Sequence, residues 1–365
     1  MNYDAILLTS FGGPEGMDEV MPFLERVTAG RGVPHERLEE VSHHYFIFGG
    51  VSPINDQNRA LLAAMRGSFA SRGIDLPVFW GNRNSAPYYA DVLQEIYDAG
   101  HRKVLALVTS AYSSYSGCRQ YRENLAAALI EKELDGKLEI HKIRHYFDHP
   151  GFITPFARGL ADAMSKLDIQ GVDIENIQIF FTTHSIPTSM AESSGPISMH
   201  ADFPEGAYVA QHKAAANVVI DLAEEIAQRP MPAWELVYQS RSGSPMMPWL
   251  APDIGDAIAT VAEVGKKAVI VVPIGFISDH VEVVWDLDHE AKEIAEKHGL
   301  SFLRVATPGI TKEFVEGVSL LVEERIKNGP KLALSKLGPW PDFCAVGCCA
   351  NSRQDLPTVA QKSLD

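Results

Sequence analysis

A histidine, a row of carboxylates and a set of cysteines are the residues of this chain best suited to chemistry. His184 closes the apolar run IFFTTH and is followed by Ser-Ile-Pro. At a strand end its imidazole can bind a metal or carry a proton near neutral pH. A lone histidine of this kind is more often held by backbone hydrogen bonds. The carboxylates stand in GFISDHVEVVWDLDHE. With a helix capped by Asp279, Glu282, Asp286 and Glu290 fall at i, i+4 and i+8, within about 80° of one another, with His289 on the same stripe. Aligned carboxylates repel when ionised. In a cleft that repulsion raises their pKa values and attracts cations. A solvated acidic face is the bland alternative. Val281, Val283, Val284 and Trp285 around Glu282 argue against it, as does the buried-type strand just before. An imidazole facing a carboxylate can hold a divalent metal loosely or accept protons. The donors are too few for a tight structural zinc site.

The chain has four cysteines: Cys118, then Cys344, Cys348 and Cys349 near the C-terminus. Clustered cysteines in a reducing compartment bind metal more often than they pair. The tail KLGPWPDFCAVGCCANSR has little periodicity, so its order is expected to come from a bound metal. Gly347 permits the sharp turn that the Cys348-Cys349 pair needs.

These groups require elements to position them. Short apolar runs alternate with amphipathic stretches. The runs are Ala5–Ser10, Val78–Asn82, Val104–Ser110, Leu138–His145, Ile177–His184, Glu235–Ser240, Ala268–Ile274 and Phe302–Ala306. Strands alternating with helices predict an α/β fold of two similar doubly wound, Rossmann-like domains with parallel sheets. The expected division is 1–150, 151–310 and 311–365, with a hinge near His149-Pro150-Gly151 and a last helix over Lys312–Lys327. The third segment is a C-terminal helix and cysteine-bearing tail packing back on the first domain. Polar residues gather where strands end: Thr9 and Ser10, Asn82 and Arg83, Thr109 and Ser110, His184 and Ser185, Ser240 and Arg241. In open α/β sheets a ligand crevice lies there.

The 365 residues carry a formal charge of −15, which opposes nucleic-acid binding. MNYDAILLTS has no basic leader. The longest apolar stretches, such as Ala268 to Ile277, are about half the ~20 residues of a membrane span. A cytoplasmic protein with no integral membrane segment is expected.

Six segments, in order, resemble ferrochelatases: LLTSFGGP, FGGVSPIN, YSSYSGC, FTTHSIP, SGSPMMPWLAPD and GFISDHVEVVWDLDHE. The similarity runs from residue 5 to about 325. The resemblance implies a chelatase-like fold with a porphyrin cleft between the domains and Fe²⁺ as substrate. It implies His184 and Glu282 as the catalytic, iron-facing pair, with Asp286 and Glu290 relaying metal or protons. Porphyrin contacts fall to Phe11, Arg31, Tyr45, Ser52, Tyr115 and Trp249. Phe11 stands where some members carry an iron-ligating Tyr, and Phe cannot ligate. His44 stands where Arg is often seen. The bacterial branch acting on coproporphyrin III is implied, with coproheme as product in heme biosynthesis and a decarboxylase as transient partner. Protoporphyrin IX is the alternative substrate. A non-catalytic tetrapyrrole- or metal-binding protein with a sensor tail is the alternative class. One upstream and three C-terminal cysteines match family members carrying a [2Fe–2S] cluster, here on Cys118, Cys344, Cys348 and Cys349. Zinc is the alternative occupant.

Overall fold

The computed structural model describes residues 2–30, 32–243 and 246–362. Eight strands form two four-stranded parallel sheets. The first holds β1 (Ala5–Ser10), β2 (Val78–Asn82), β3 (Lys103–Val108) and β4 (Glu139–Lys142) in the order β2-β1-β3-β4. The second holds β5 (Ile177–His184), β6 (Trp234–Gln239), β7 (Ala268–Val272) and β8 (Ser301–Arg304) in the order β6-β5-β7-β8. The two orders are the same, and every pairing is parallel. Parallel strands must be crossed by helices on both faces, so their side chains are buried on both sides. β7 accordingly reads as a continuous apolar run and β1 as one over Ala5 to Leu8, and both strands are buried throughout. Strand order reverses between β1 and β3 and again between β5 and β7. Those switch points open crevices at the carboxyl ends of the strands.

The halves share one core. Ile6, Leu8, Leu105 and Leu107 of the first sheet and Ile177, Ile179, Ile270 and Val272 of the second belong to a single buried cluster with Phe152, Phe156 and Phe314. The outer face of each sheet has its own core. His149-Pro150-Gly151 differs from the expected hinge. His149 is buried, its Nδ1 accepts the Gly151 N–H at 3.1 Å, and the helix Pro150–Ile169 begins there. Gly151 also lies so close to Gly317 of the helix Lys312–Lys327 that a Cβ would sit 2.5 Å from its Cα. Only glycines allow that crossing.

The tail is ordered by specific contacts. Leu334 N–H donates to the Asp148 carbonyl and Ser335 Oγ to the Asp148 carboxylate. Trp340 packs on Phe147, and Arg325 pairs with Asp342 at 3.0 Å. A two-stranded parallel ribbon, β9 (Cys344–Ala345) with β10 (Gln361–Lys362), closes it. Among the described residues no helix is long and apolar enough to cross a membrane.

Candidate active site and cysteine centre

His184 is the last residue of β5, and the segment following β7 brings Glu282 opposite it. His184 Nε2 and Glu282 Oε2 are 3.7 Å apart. The other ring nitrogen, Nδ1, contacts the Ser185 carbonyl oxygen. A carbonyl can only accept, so Nδ1 carries the proton and Nε2 presents its lone pair to the site. Tyr208 Oη donates to the His184 carbonyl at 2.8 Å and fixes the strand end. The pair is too far apart for a direct hydrogen bond, which leaves access for a third group.

Glu282 reaches this position on a helix that departs from the expected one. Asp279 does not cap it. Its carboxylate is taken by Arg304 at 3.1 Å and by Thr307 at 3.0 Å. The helix starts at Val281 with His280 as its cap residue, then widens into a π-helix over Val284–Ala291. Such wide turns recur at functional sites. Glu282 is also more exposed than its apolar neighbours implied, at 47%.

Asp286 lies one turn deeper. Ser240 Oγ donates to its carboxylate, and Gln239 Nε2 bonds Asp286 Oδ2 and the Glu282 carbonyl at 3.3 Å each. Burial pushes the Asp286 carboxyl up to about 7, against the Ser240 bond and with help from the charges of Glu282 and Glu290. Near neutral pH it both holds and releases a proton. Glu290 is exposed at the outer end of the row. His280 was not singled out by sequence; its Nδ1 is 3.9 Å from Glu282 Oε2, and burial pushes its imidazole down. Its place two residues before Glu282 was the signal available.

The helices Val20–Thr28 and His35–Ile47 form an aromatic lip over this region, with Phe23 and Tyr45 buried and Phe11, Phe46 and Phe48 packed against them. Burial pushes the Tyr45 phenol well up, with added effect from Glu282 and Asp286, so Tyr45 adjoins the carboxylates. His44 stacks on Trp285 at 4.4 Å, and Trp285 on His289 at 5.3 Å, joining lip to π-helix. The Arg83 guanidinium lies 5.3 Å over the Phe11 ring. Trp249 is half-buried against Gly243 and bridges Pro187, just beyond His184. Ser52 is buried, with its N–H on the Pro14 carbonyl. Tyr115 faces elsewhere: its hydroxyl donates to Glu123 and accepts from Asn351. Arg31 lies outside the described residues.

The four cysteines meet in one buried cluster and are not joined as disulfides. Cys118 sits in a π-turn, Tyr115–Arg119, and the tail supplies the rest. Cys118 Sγ is 3.7 Å from Cys344 Sγ, and Cys348 Sγ is 3.7 Å from Cys349 Sγ. Two thiolates on one tetrahedral metal with ~2.3 Å bonds stand about 3.8 Å apart. Hydrogen bonds from Cys118 and Cys348 pull the Cys344 and Cys349 thiols well below the ordinary range. Cys349 Sγ also accepts the Gly195 N–H at 3.2 Å. Buried, clustered thiols suit a metal of the soft, thiolate-binding kind. His145 Nδ1 or Nε2 lies within 4.8 Å of the Cys118 and Cys344 sulfurs.

The ferrochelatase family profile matches residues 3–326. A coproporphyrin III ferrochelatase of Leifsonia xyli is 54% identical over 98% of this chain and 94% of its own. One from Tropheryma whipplei is 49% identical over 96% and 90%. A ferrochelatase of Rhodopirellula baltica is 45% identical over 99% and 97%. Among solved structures, SirB from Bacillus subtilis with Fe3+ aligns at TM-score 0.48 and 11% identity, covering 90% of this chain and 97% of that one.

Proposed function

We propose, from the premise that the chain belongs to the ferrochelatase family, that it inserts Fe²⁺ into coproporphyrin III to give coproheme in heme biosynthesis. The observation that carries the reading is His184 Nε2 facing Glu282 across 3.7 Å at the switch point of the second sheet. Insertion requires iron to shed water and two pyrrole N–H protons to leave. The bare Nε2 of His184 takes either iron or a proton. Glu282 is the complementary acceptor, and Asp286 and Glu290 pass metal or protons onward.

In this reading the aromatic lip presses the macrocycle so that pyrrole nitrogens tilt toward the pair. Phe11, Tyr45, Ser52 and Trp249 line the porphyrin side, while Tyr115 serves the cysteine turn instead. The division 1–150, 151–310 and 311–365 places the cleft between the first two segments. The enzyme works in the cytoplasm and hands coproheme to a decarboxylase, as the family branch implies. The test is anaerobic iron insertion with coproporphyrin III against protoporphyrin IX. We expect a clear preference for coproporphyrin; the reverse preference rejects the substrate.

For the cysteines we infer a resident [2Fe–2S] centre held by Cys118, Cys344, Cys348 and Cys349. Four buried sulfurs, one from the Cys118 turn and three from the tail, support the reading, since Cys₄ sets hold such centres. When bound, such a centre supplies one-electron exchange. The chain's own contribution is to seal it from water and tie the tail to the Gly195 loop. Iron, sulfide and zinc analysis of anaerobically purified protein checks this, with the visible spectrum. Zinc without sulfide rejects it.

A further inference from the structure

Arg122 is 1% exposed, yet its charge has no carboxylate partner among the described residues. Its Nε and Nη2 have no acceptor, and Nη1 only reaches the Val359 carbonyl at 3.5 Å. Lys142, 3% exposed, donates to the Ile143 carbonyl at 3.2 Å and also lacks an acidic partner among those residues. A buried cation without a counter-charge is strongly destabilising. The molecule must neutralise both in another way.

Both cations adjoin the cysteines. Arg122 follows Cys118 by about one helical turn. Its backbone carbonyl accepts the Val359 N–H at 3.3 Å, and Gln361, two residues on, pairs with Cys344. Lys142 ends β4 and lines a small internal cavity with Cys118 and His145. Burial alone would push the Arg122 guanidinium down. The charges of the four cysteine sulfurs more than offset this and hold it above its ordinary value.

We propose that Arg122 and Lys142 are the built-in counter-charges of a dianionic four-thiolate metal centre. The proposal rests on the reading of the cysteines as a resident centre. Four thiolates with two ferric ions and two sulfides form a net dianion, as do four thiolates with one zinc. Two buried cations balance either. One-electron reduction of an iron centre adds negative charge within the same shell, so the cations favour the reduced form. They are positioning residues: they touch no substrate.

The experiment uses anaerobically purified wild type, Arg122→Met, Arg122→Lys and Lys142→Met. Metal and sulfide content, the rate of metal release to a chelator, and the midpoint potential are measured. Thermal midpoints are compared with those in a Cys118→Ser/Cys344→Ser background. We expect Arg122→Met to release metal at least tenfold faster. For an iron centre its electron affinity falls at least tenfold, about 59 mV for one electron. Lys142→Met moves both in the same direction, and Arg122→Lys stays within about threefold of wild type. In the metal-free background Arg122→Met leaves the thermal midpoint unchanged or raises it, because the charge has no partner there. Wild-type protein without iron or zinc overturns both the centre and its counter-charges. A metal-loaded protein whose release rate ignores both methionine variants overturns the counter-charges alone. So does an Arg122→Met that lowers the thermal midpoint equally in both backgrounds, which would make Arg122 a packing residue. If the metal-free background does not fold, the release rate decides.

Discussion

His184 and Glu282 have side chains 32% and 47% exposed, whereas none of the four cysteines is more than 5% exposed. The first region offers one imidazole and a line of carboxylates running outward to Glu290. The second offers paired sulfurs, hydrogen bonds to sulfur and buried cations. Hard carboxylates around an open position hold a divalent ion weakly and release it. Closed thiolate sets hold metal permanently and couple it to folding. One chain therefore carries a site suited to metal in transit and a site suited to metal in residence. The difference lies in burial and donor type.

The largest effect should come from the open region and leave the closed one untouched. Glu282→Gln and His184→Ala each lose iron insertion by about 100- to 10,000-fold. Porphyrin still quenches fluorescence on binding, and metal content at the cysteines is unchanged. Near-normal insertion by both variants would end the mechanism proposed for the pair. The converse is Cys349→Ser. It should cost about 3 kcal/mol of stability, because metal binding adds to the contacts that order the tail. Thermal melting with metal analysis checks it; an unaltered melting curve would mean the tail orders itself without metal.

Much of the open region was readable in the sequence, because parallel sheets write themselves as apolar runs. β1, β2 and β5 occupy the expected residues, and His184 ends its strand as expected. β4 is shorter than the run Leu138–His145: Ile143 N–H still reaches the Ala106 carbonyl, but beyond it the chain leaves the sheet and His145 turns toward the cysteines. The residues missed depend on distant partners. Asp279 failed as a cap because Arg304, 25 residues on, takes its carboxylate. The π-turn is invisible to a search at 3.6 residues per turn. The shared core and the Gly151–Gly317 crossing arise from helices far apart in the chain. The cysteines were legible as a set, but the unpaired charge of Arg122 shows only once burial is known.

A smaller effect separates the two regions by pH. An aspartate in the unfolded chain titrates near 4, while Asp286 in the fold titrates at about 7. The folded protein therefore holds this proton more tightly. Stability falls as pH rises between those values and the loss is complete above the folded pKa. Asp286→Asn should be more stable than wild type at pH 8, by about 2 kcal/mol once partial solvent access is allowed for, and no more stable at pH 4. A gain that is the same at both pH values would show that Asp286 is not held protonated.

The smallest effect concerns Ser240, which donates to the Asp286 carboxylate and so favours its ionised form. Removing the hydroxyl should move the Asp286 titration further upward, by less than about one unit or ~1 kcal/mol. Ser240 has φ of +59°, in the left-handed region. Ser240→Ala therefore keeps the backbone strain that the Cβ imposes there, and Ser240→Gly relieves it. The two variants should differ in overall stability yet share the same shifted pH midpoint, read from melting temperature against pH. A midpoint that tracks strain instead of the lost hydroxyl would show that the Ser240 hydroxyl does not tune Asp286. The pair of variants thus separates the hydrogen bond from the conformation that delivers it.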